Sequence, residues 1–292
     1  MNRSSIKIRF KKVLVALYRI VEQGILSPLN SILPWMFDEV FFRKTTIKIN
    51  GGGNVKRIRY RDFGKETRSR AKSSLTKEPN TIIWINSFNK GQRLLDVGAN
   101  MGVFTLYAAV TKECHVVALE PCAPSYCLLN LNIYENNVGD RVIAYPLAAA
   151  SKRDLVKLYM TELSHDSGGG LPNSPVDARG DKFIPKHVQG SASIEIDEIY
   201  LKHGPFHHVK IDTDGNEMDL LKGSAKLLAS KDLQSILIEL NENLEGYADI
   251  VSYIISFGFS LDEDLTSKSY VSTKRGGKIY NHIFKRNLVK PG

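Results

Sequence analysis

The chain has 292 residues, 42% apolar and 24% charged, so it can bury a sizeable core and is neither disordered nor fibrous in composition. Its net charge of +9 is gathered at one end: residues 1–80 hold 18 Lys/Arg against 6 Asp/Glu, which leaves 22 against 25 for residues 81–292. Cys114, Cys122 and Cys127 form no C-x-x-C pair, which argues against a cysteine-held metal and for buried free thiols in a reducing, cytoplasmic compartment.

Residues 1–80 read as a basic extension and residues 81–292 as the main domain. Over residues 11–26, Val13, Leu14, Leu17, Ile20, Val21 and Leu26 share one helical face. Arg19 breaks the apolar run below the roughly 20 residues of a spanning helix, and no small-residue cleavage site follows. This helix is expected to dock on the main domain; the alternative is a helix lying on a membrane. Residues 45–50 and 55–60 alternate on either side of three glycines, a β-hairpin whose outward face carries Lys48, Lys56, Arg57, Arg59 and Arg61. It is expected to sit in front of the core, or to form a lid over a substrate. So cationic a region fits an anionic neighbour such as a membrane surface, with the protein peripheral to it, a phosphorylated or acidic glycan, or nucleic acid, the last with no strong signal of its own; a merely solubilising surface is the equal alternative. Residues 69–77 read as a polar linker and residues 81–88 as a helix around Trp84.

The centre of the chain is Arg93 to Thr105. An apolar run ends in Asp96, passes Gly98 and Gly102, and opens onto the helical pattern of Val103, Leu106, Tyr107 and Val110: strand, tight turn, helix. The two glycines let a ligand lie against the backbone, and the helix start offers amide donors. A dinucleotide fold requires G-x-G-x-x-G, but Asn100 and Val103 stand where the second and third glycines belong. The next predicted strand, residues 116–119, ends at Glu120, about 20 residues after the turn, where a carboxylate reaches a ribose diol.

Several separate motifs lie in one order: Glu78-Pro79-Asn80-Thr81 ahead of Trp84, Asp96 to Gly102, Glu120-Pro121, Val209 to Glu217, Leu221 to Ser224, and Ile238-Glu239-Leu240. Over roughly residues 68–286 the chain resembles the FkbM family of methyltransferases. The resemblance implies an α/β, Rossmann-like doubly wound sheet of class I, with seven strands and a terminal antiparallel hairpin. It also implies S-adenosylmethionine as cofactor, and methyl transfer to a hydroxyl of a sugar, glycan or secondary metabolite. Asp96, Gly98, Asn100, Gly102 and Glu120 become cofactor-binding candidates. Ala148, at the end of the third strand, is the adenine-side candidate because small residues admit the ring.

Further along, residues 123–136 read as a helix, 142–150 as a strand and 155–160 as an antiparallel addition. Residues 164–190, rich in Gly, Pro, Ser and Asp, read as a long loop holding His165, and a strand (191–196) and short helix (197–202) follow. Residues 207–214 are the fourth strand, with Asp212 and Asp214 on one face and Glu217 just inside the next helix. Asp214 and Glu217 form a D-x-x-E capping box. Asp212 has no such duty and is the catalytic candidate, a carboxylate to accept the proton of an attacking hydroxyl. Residues 236–240 are the fifth strand; Glu239 and Glu217 are substrate-binding candidates. A magnesium-assisted variant using Asp212, Glu239 and Asn241 ranks below the metal-free reading. Residues 257–262 and 279–285 form the terminal hairpin. His207 and His208, at a strand start, read as structural. The reading from a different class is a non-catalytic Rossmann-like module that binds a glycan or membrane partner.

Overall fold

The apolar runs stand side by side in one seven-stranded sheet. It comprises β3 (Arg93–Val97), β4 (His115–Leu119), β5 (Val142–Tyr145), β9 (His208–Ile211), β10 (Ser235–Asn241), β11 (Phe259–Leu261) and β12 (Ile279–Arg286). The order across it is β11-β12-β10-β9-β3-β4-β5; β12 runs antiparallel to both β10 and β11, while β9, β3, β4 and β5 run parallel with β10. In this computed structural model the described residues are 43–51, 54–161, 173–176, 181–213, 215–267 and 279–287. Contacts divide the chain into Met1–Lys44 and Thr45–Gly292. The expected helix over residues 11–26, His165 and Asp214 lie outside the described residues.

Strands covered on both faces read as continuous apolar runs, because alternate side chains enter different cores. Leu94, Val116, Ala118, Leu237 and Ile283 join one core with Trp84, Ile85, Leu106 and Leu129. Leu95, Val117, Val209, Ile236 and Ile238 join the other with Ile196, Leu220, Leu227 and Ile254. The helices that supply these residues are α2 (Pro79–Asn86), α3 (Val103–Thr111), α4 (Ala123–Glu135), α5 (Ile196–His203), α6 (Glu217–Lys222), α7 (Ala225–Ala229) and α8 (Tyr247–Ser256). The chain winds outward from β3 to β5, then returns to β9 on the other side of β3. That reversal opens a crevice at the carboxyl ends of β3, β4 and β9.

Four local expectations are corrected. The strand expected over residues 142–150 breaks at Pro146, which has no N–H for a ladder. Its second half, β6 (Leu147–Ala150), leaves to form a three-stranded sheet with β8 (His187–Glu195) and β7 (Asp154–Met160). The loop expected over 164–190 therefore already belongs to β8 from His187 onward. The polar linker over 69–77 is mostly helix, α1 (Lys65–Ser73), held because Asp62 accepts from the Gly64 amide and Arg68 while Thr67 and Ala71 turn inward. Cys114 and Cys122 are buried as expected, but the register of α4 turns Cys127 outward.

The basic hairpin, β1 (Arg43–Gly51) and β2 (Asn54–Asp62), is a separate sheet laid on helices. Ile58 and Tyr60 enter the first core. Lys56 Nζ donates to the carbonyls of Val110 and Thr111 at 3.1 and 2.8 Å, at the carboxyl end of α3 where a cation is favoured. The amides of Arg59 and Arg61 donate to the side chains of Asn136 and Asn132. Below the sheet, Trp84 Nε1 and His208 Nδ1 both meet Ser235 Oγ at 2.8 Å, and His208 stacks on Phe88 at 3.6 Å between ring centroids. His208 is a core histidine, as its place at a strand start implied.

Candidate active site

Asp96 is the last polar side chain of β3 and is buried. Its Oδ2 accepts from Thr105 Oγ1 at 2.5 Å. Its Oδ1 has no hydrogen-bond donor among the described residues. Burial pushes the Asp96 carboxyl above its usual range, although the Lys210 charge and the Thr105 hydroxyl pull the other way. A buried acceptor left unpaired costs about 1–3 kcal/mol, which a ligand donor would recover.

The turn after Asp96 is shaped by close approach. Gly98 has φ +80°, and a β-carbon there would stand 1.9 Å from the Asp212 carbonyl oxygen. The amides of Gly98 and Ala99 both donate to Leu119 O, which ties the turn to the end of β4. Asn100 also takes the left-handed region, at φ +50°, and its amide donates to Glu120 Oε2 at 2.7 Å. Glu120 Oε1 accepts from the Cys122 amide at 2.8 Å. Burial raises the Glu120 carboxyl to about 7, against the two amide bonds that favour its charge. Each of its oxygens keeps a lone pair for a hydroxyl. Gly102, at φ +86°, opens α3, with no room for a β-carbon beside Leu129.

Asp212 follows β9 directly, and its amide donates to Val97 O at 3.0 Å. Its side chain is 30% exposed and its Oδ2 accepts from Lys210 Nζ at 2.8 Å, the lysine being 2% exposed. Burial pushes the Asp212 carboxyl up, but the charge and hydrogen bond of Lys210, with Lys77 and Arg70 further off, hold it below the usual carboxylate range. The same group of acids keeps the buried Lys210 ammonium firmly charged despite its desolvation; Asp212, Asp96 and Glu78 all act on it.

Glu239 lies one residue beyond the Ile238–Ile211 pair of β10 and β9, level with Asp212, and faces Asn281 of β12. Asn281 Nδ2 donates to Glu78 Oε2 at 2.9 Å and to Thr81 Oγ1 at 3.1 Å. The crevice thus brings together acids from β3, β4, β9 and β10 and from the start of α2, with one lysine among them. Residues 96–261 match the family model of the methyltransferase FkbM domain. The chain belongs to the FkbM methyltransferase family.

Its seven-stranded sheet with the terminal antiparallel hairpin is the class I methyltransferase fold, as the resemblance implied. A segment of the FkbM chain is 25% identical over 181 residues to the AMB antimetabolite synthetase AmbE of Pseudomonas aeruginosa, 52% of this chain but only 8% of that much longer protein. Among solved structures, the METTL16 methyltransferase domain is similar with TM-score 0.45 and 11% identity, over 82% of this chain and 86% of that one. TYW2 of Pyrococcus horikoshii, in complex with MeSAdo, is similar with TM-score 0.40 and 13% identity, over 89% and 83%. A TehB-like SAM-dependent methyltransferase of Corynebacterium glutamicum has TM-score 0.40 and 13% identity, over 76% and 95%.

The structure does not gather every predicted residue of the FkbM domain at this crevice. Ala148 is buried on β6, paired with Ser193 in the three-stranded sheet and outside the large one. Glu217 is the first residue of α6 and not its third; its Oε1 accepts from the Gly215 amide at 2.8 Å and from Thr213 Oγ1 at 3.3 Å. Glu217 thereby braces the loop that carries Asp212, while Asp214, the other half of the expected capping box, lies outside the described residues. Asn241 turns its Oδ1 to the Asn243 amide of its own loop. Among the described residues no group of three or more His, Cys, Asp or Glu is placed to hold a metal ion. Sequence reasoning missed Lys210: with His208 it alternates with Val209 and Ile211, the pattern of a strand with one solvated face, whereas a central parallel strand has both faces covered. It also gave no role to Glu78.

Proposed function

We propose that the chain transfers a methyl group from S-adenosylmethionine to a hydroxyl oxygen of a sugar, glycan or small secondary metabolite. The observation that carries this reading is the unpaired Asp96 Oδ1 beneath the Gly98 turn, with Glu120 one strand away. An acceptor for an ammonium on β3 and an acceptor for a ribose diol just past the neighbouring β4 are then joined by the turn whose Asn100 amide donates to Glu120. Bound there, the cofactor supplies a sulfonium methyl as electrophile. Asp96 holds its amino end, Glu120 its ribose, and the backbone of Gly98, Asn100 and Gly102 its middle.

Asp212 accepts the proton of the attacking hydroxyl, a contribution of roughly 10²–10⁴-fold in related chemistry. Lys210 keeps that carboxylate charged and fixed in direction. Glu239 hydrogen-bonds acceptor hydroxyls, and Glu217 acts through the loop it braces. Orientation of the oxygen in line with the methyl group carries more of the rate than the base does. The likeness to a segment of an antimetabolite synthetase supports a secondary-metabolite acceptor. The exposed Lys48, Arg57 and Arg59 of the hairpin are the contact for an anionic membrane surface or acidic glycan.

Calorimetric titration with S-adenosylmethionine, S-adenosylhomocysteine and NAD tests the cofactor reading, and transfer of a radiolabelled methyl group to a panel of glycans and hydroxylated metabolites tests the acceptor. Binding of the first two ligands is expected. NAD binding overturns the reading. Adenosyl-ligand binding without transfer to any hydroxyl favours the non-catalytic module.

A further inference from the structure

Asp96 and Lys210 are direct neighbours across the β3–β9 pairing, so their side chains leave the sheet on one face. Each has unspent hydrogen-bonding capacity. Asp96 offers an oxygen with no donor. Lys210 has three N–H groups to place, and among the described residues Asp212 is its hydrogen-bond partner, with the Phe104 ring centroid 5.2 Å away. An acceptor and a donor of opposite charge, side by side and desolvated, are the complement of an α-amino acid. Asp212 is far more open than Asp96, so the approach to this pair runs past it.

We propose that Asp96 and Lys210 together receive the amino-acid end of the cofactor, Asp96 Oδ1 taking its α-ammonium and the Lys210 ammonium its α-carboxylate. This rests on the S-adenosylmethionine reading and adds to it a residue that recognises the carboxylate. Asp212 then shares Lys210 with the cofactor, which ties the orientation of the proton acceptor to occupancy of the site. The competing role for Lys210 is plain neutralisation of Asp96, Asp212 and Glu78, with no ligand contact.

Ligand truncation separates the two. S-adenosylmethionine, decarboxylated S-adenosylmethionine and 5′-methylthioadenosine are titrated calorimetrically into the wild type, Lys210→Met and Lys210→Arg. Decarboxylation is expected to weaken binding to the wild type roughly 10- to 100-fold, the value of a charge-assisted hydrogen bond. In Lys210→Met the intact cofactor falls to the level of its decarboxylated analogue, methylthioadenosine binds as before, and Lys210→Arg recovers part of the difference. Because both sulfonium ligands meet the same altered Asp212, its change cancels in their ratio.

Equal wild-type affinity for the intact and decarboxylated cofactors overturns the proposal, and this comparison decides the matter even where Lys210→Met does not fold. Equal weakening of all three ligands in Lys210→Met overturns it in favour of neutralisation. Failure of the wild type to bind any adenosyl ligand overturns the cofactor reading itself, whereas binding of methylthioadenosine with no carboxylate preference overturns only the Lys210 contact.

Discussion

The carbonyl oxygen of Asp212 stands 1.9 Å from the point where a β-carbon on Gly98 would lie. The turn after β3 and the loop after β9 therefore touch backbone to backbone, and the proposed proton acceptor is placed by the same contact that shapes the proposed cofactor seat. Gly98→Ala must push the two apart and hold alanine at φ +80°. A loss of roughly 2–4 kcal/mol in stability is expected, together with loss of adenosyl-ligand binding. Gly139, with nothing within 4 Å of a β-carbon, is the control: its alanine variant stays within about 0.5 kcal/mol of wild type in urea titrations.

With Glu120 in the proposed ribose contact, cofactor affinity is expected to depend on pH. Its carboxyl is raised to about 7 by burial, and only its charged form accepts two ribose hydroxyls without giving up a lone pair to its own proton. Affinity for S-adenosylhomocysteine is expected to rise as pH climbs from 6 to 8, with proton release on binding below pH 7. Calorimetry in buffers of different ionisation enthalpy reads that proton directly, and Glu120→Gln abolishes its release. The contribution of Glu120 to stability has the opposite sign. The unfolded chain loses this proton first, so the term weakens as pH rises from the ordinary carboxylate range to about 7.

His208 sets an acid limit on the fold. Burial lowers its pKa to about 3, and its neutral ring is held by Ser235 and Gln92. The unfolded chain binds this proton from about pH 6.5 downward, so stability is lost as pH falls from there toward 3, at up to about 1.4 kcal/mol per pH unit. Urea unfolding at a series of pH values is expected to show this slope, and His208→Gln to reduce it.

Asp212→Asn is expected to lower methyl transfer by roughly 10²–10⁴-fold while S-adenosylhomocysteine affinity changes only a few-fold. Transfer retained at the wild-type rate removes Asp212 from the chemistry and leaves orientation alone.

Exchange of Lys48, Arg57 and Arg59 for glutamate reverses the outward face of the hairpin without touching Ile58 or Tyr60. Stability is expected to move by less than about 1 kcal/mol, and sedimentation with phosphatidylserine vesicles, if the wild type shows it, to disappear. Among the described residues no helix is long and apolar enough to cross a membrane.

What the amino-acid order determined by itself is local. Asp96, the glycine turn, Glu120 and Asp212 were legible because each sits at the end of an apolar run, where a change of hydrophobic period and a residue suited to positive φ mark the passage from strand to turn. What only the tertiary structure decided depends on which distant segments become neighbours. Lys210 lies next to Asp96 because β9 inserts beside β3, with α2 and α3 over the pair; no local periodicity encodes that adjacency. Ala148 left the large sheet because Pro146 ended one ladder and β8 offered another. Glu217 braces the Asp212 loop because α6 begins at that residue, where its carboxylate meets the Gly215 amide. Burial and charge pairing are properties of the assembled sheet. The same lysine would be an ordinary solvated side chain if its strand lay at an edge.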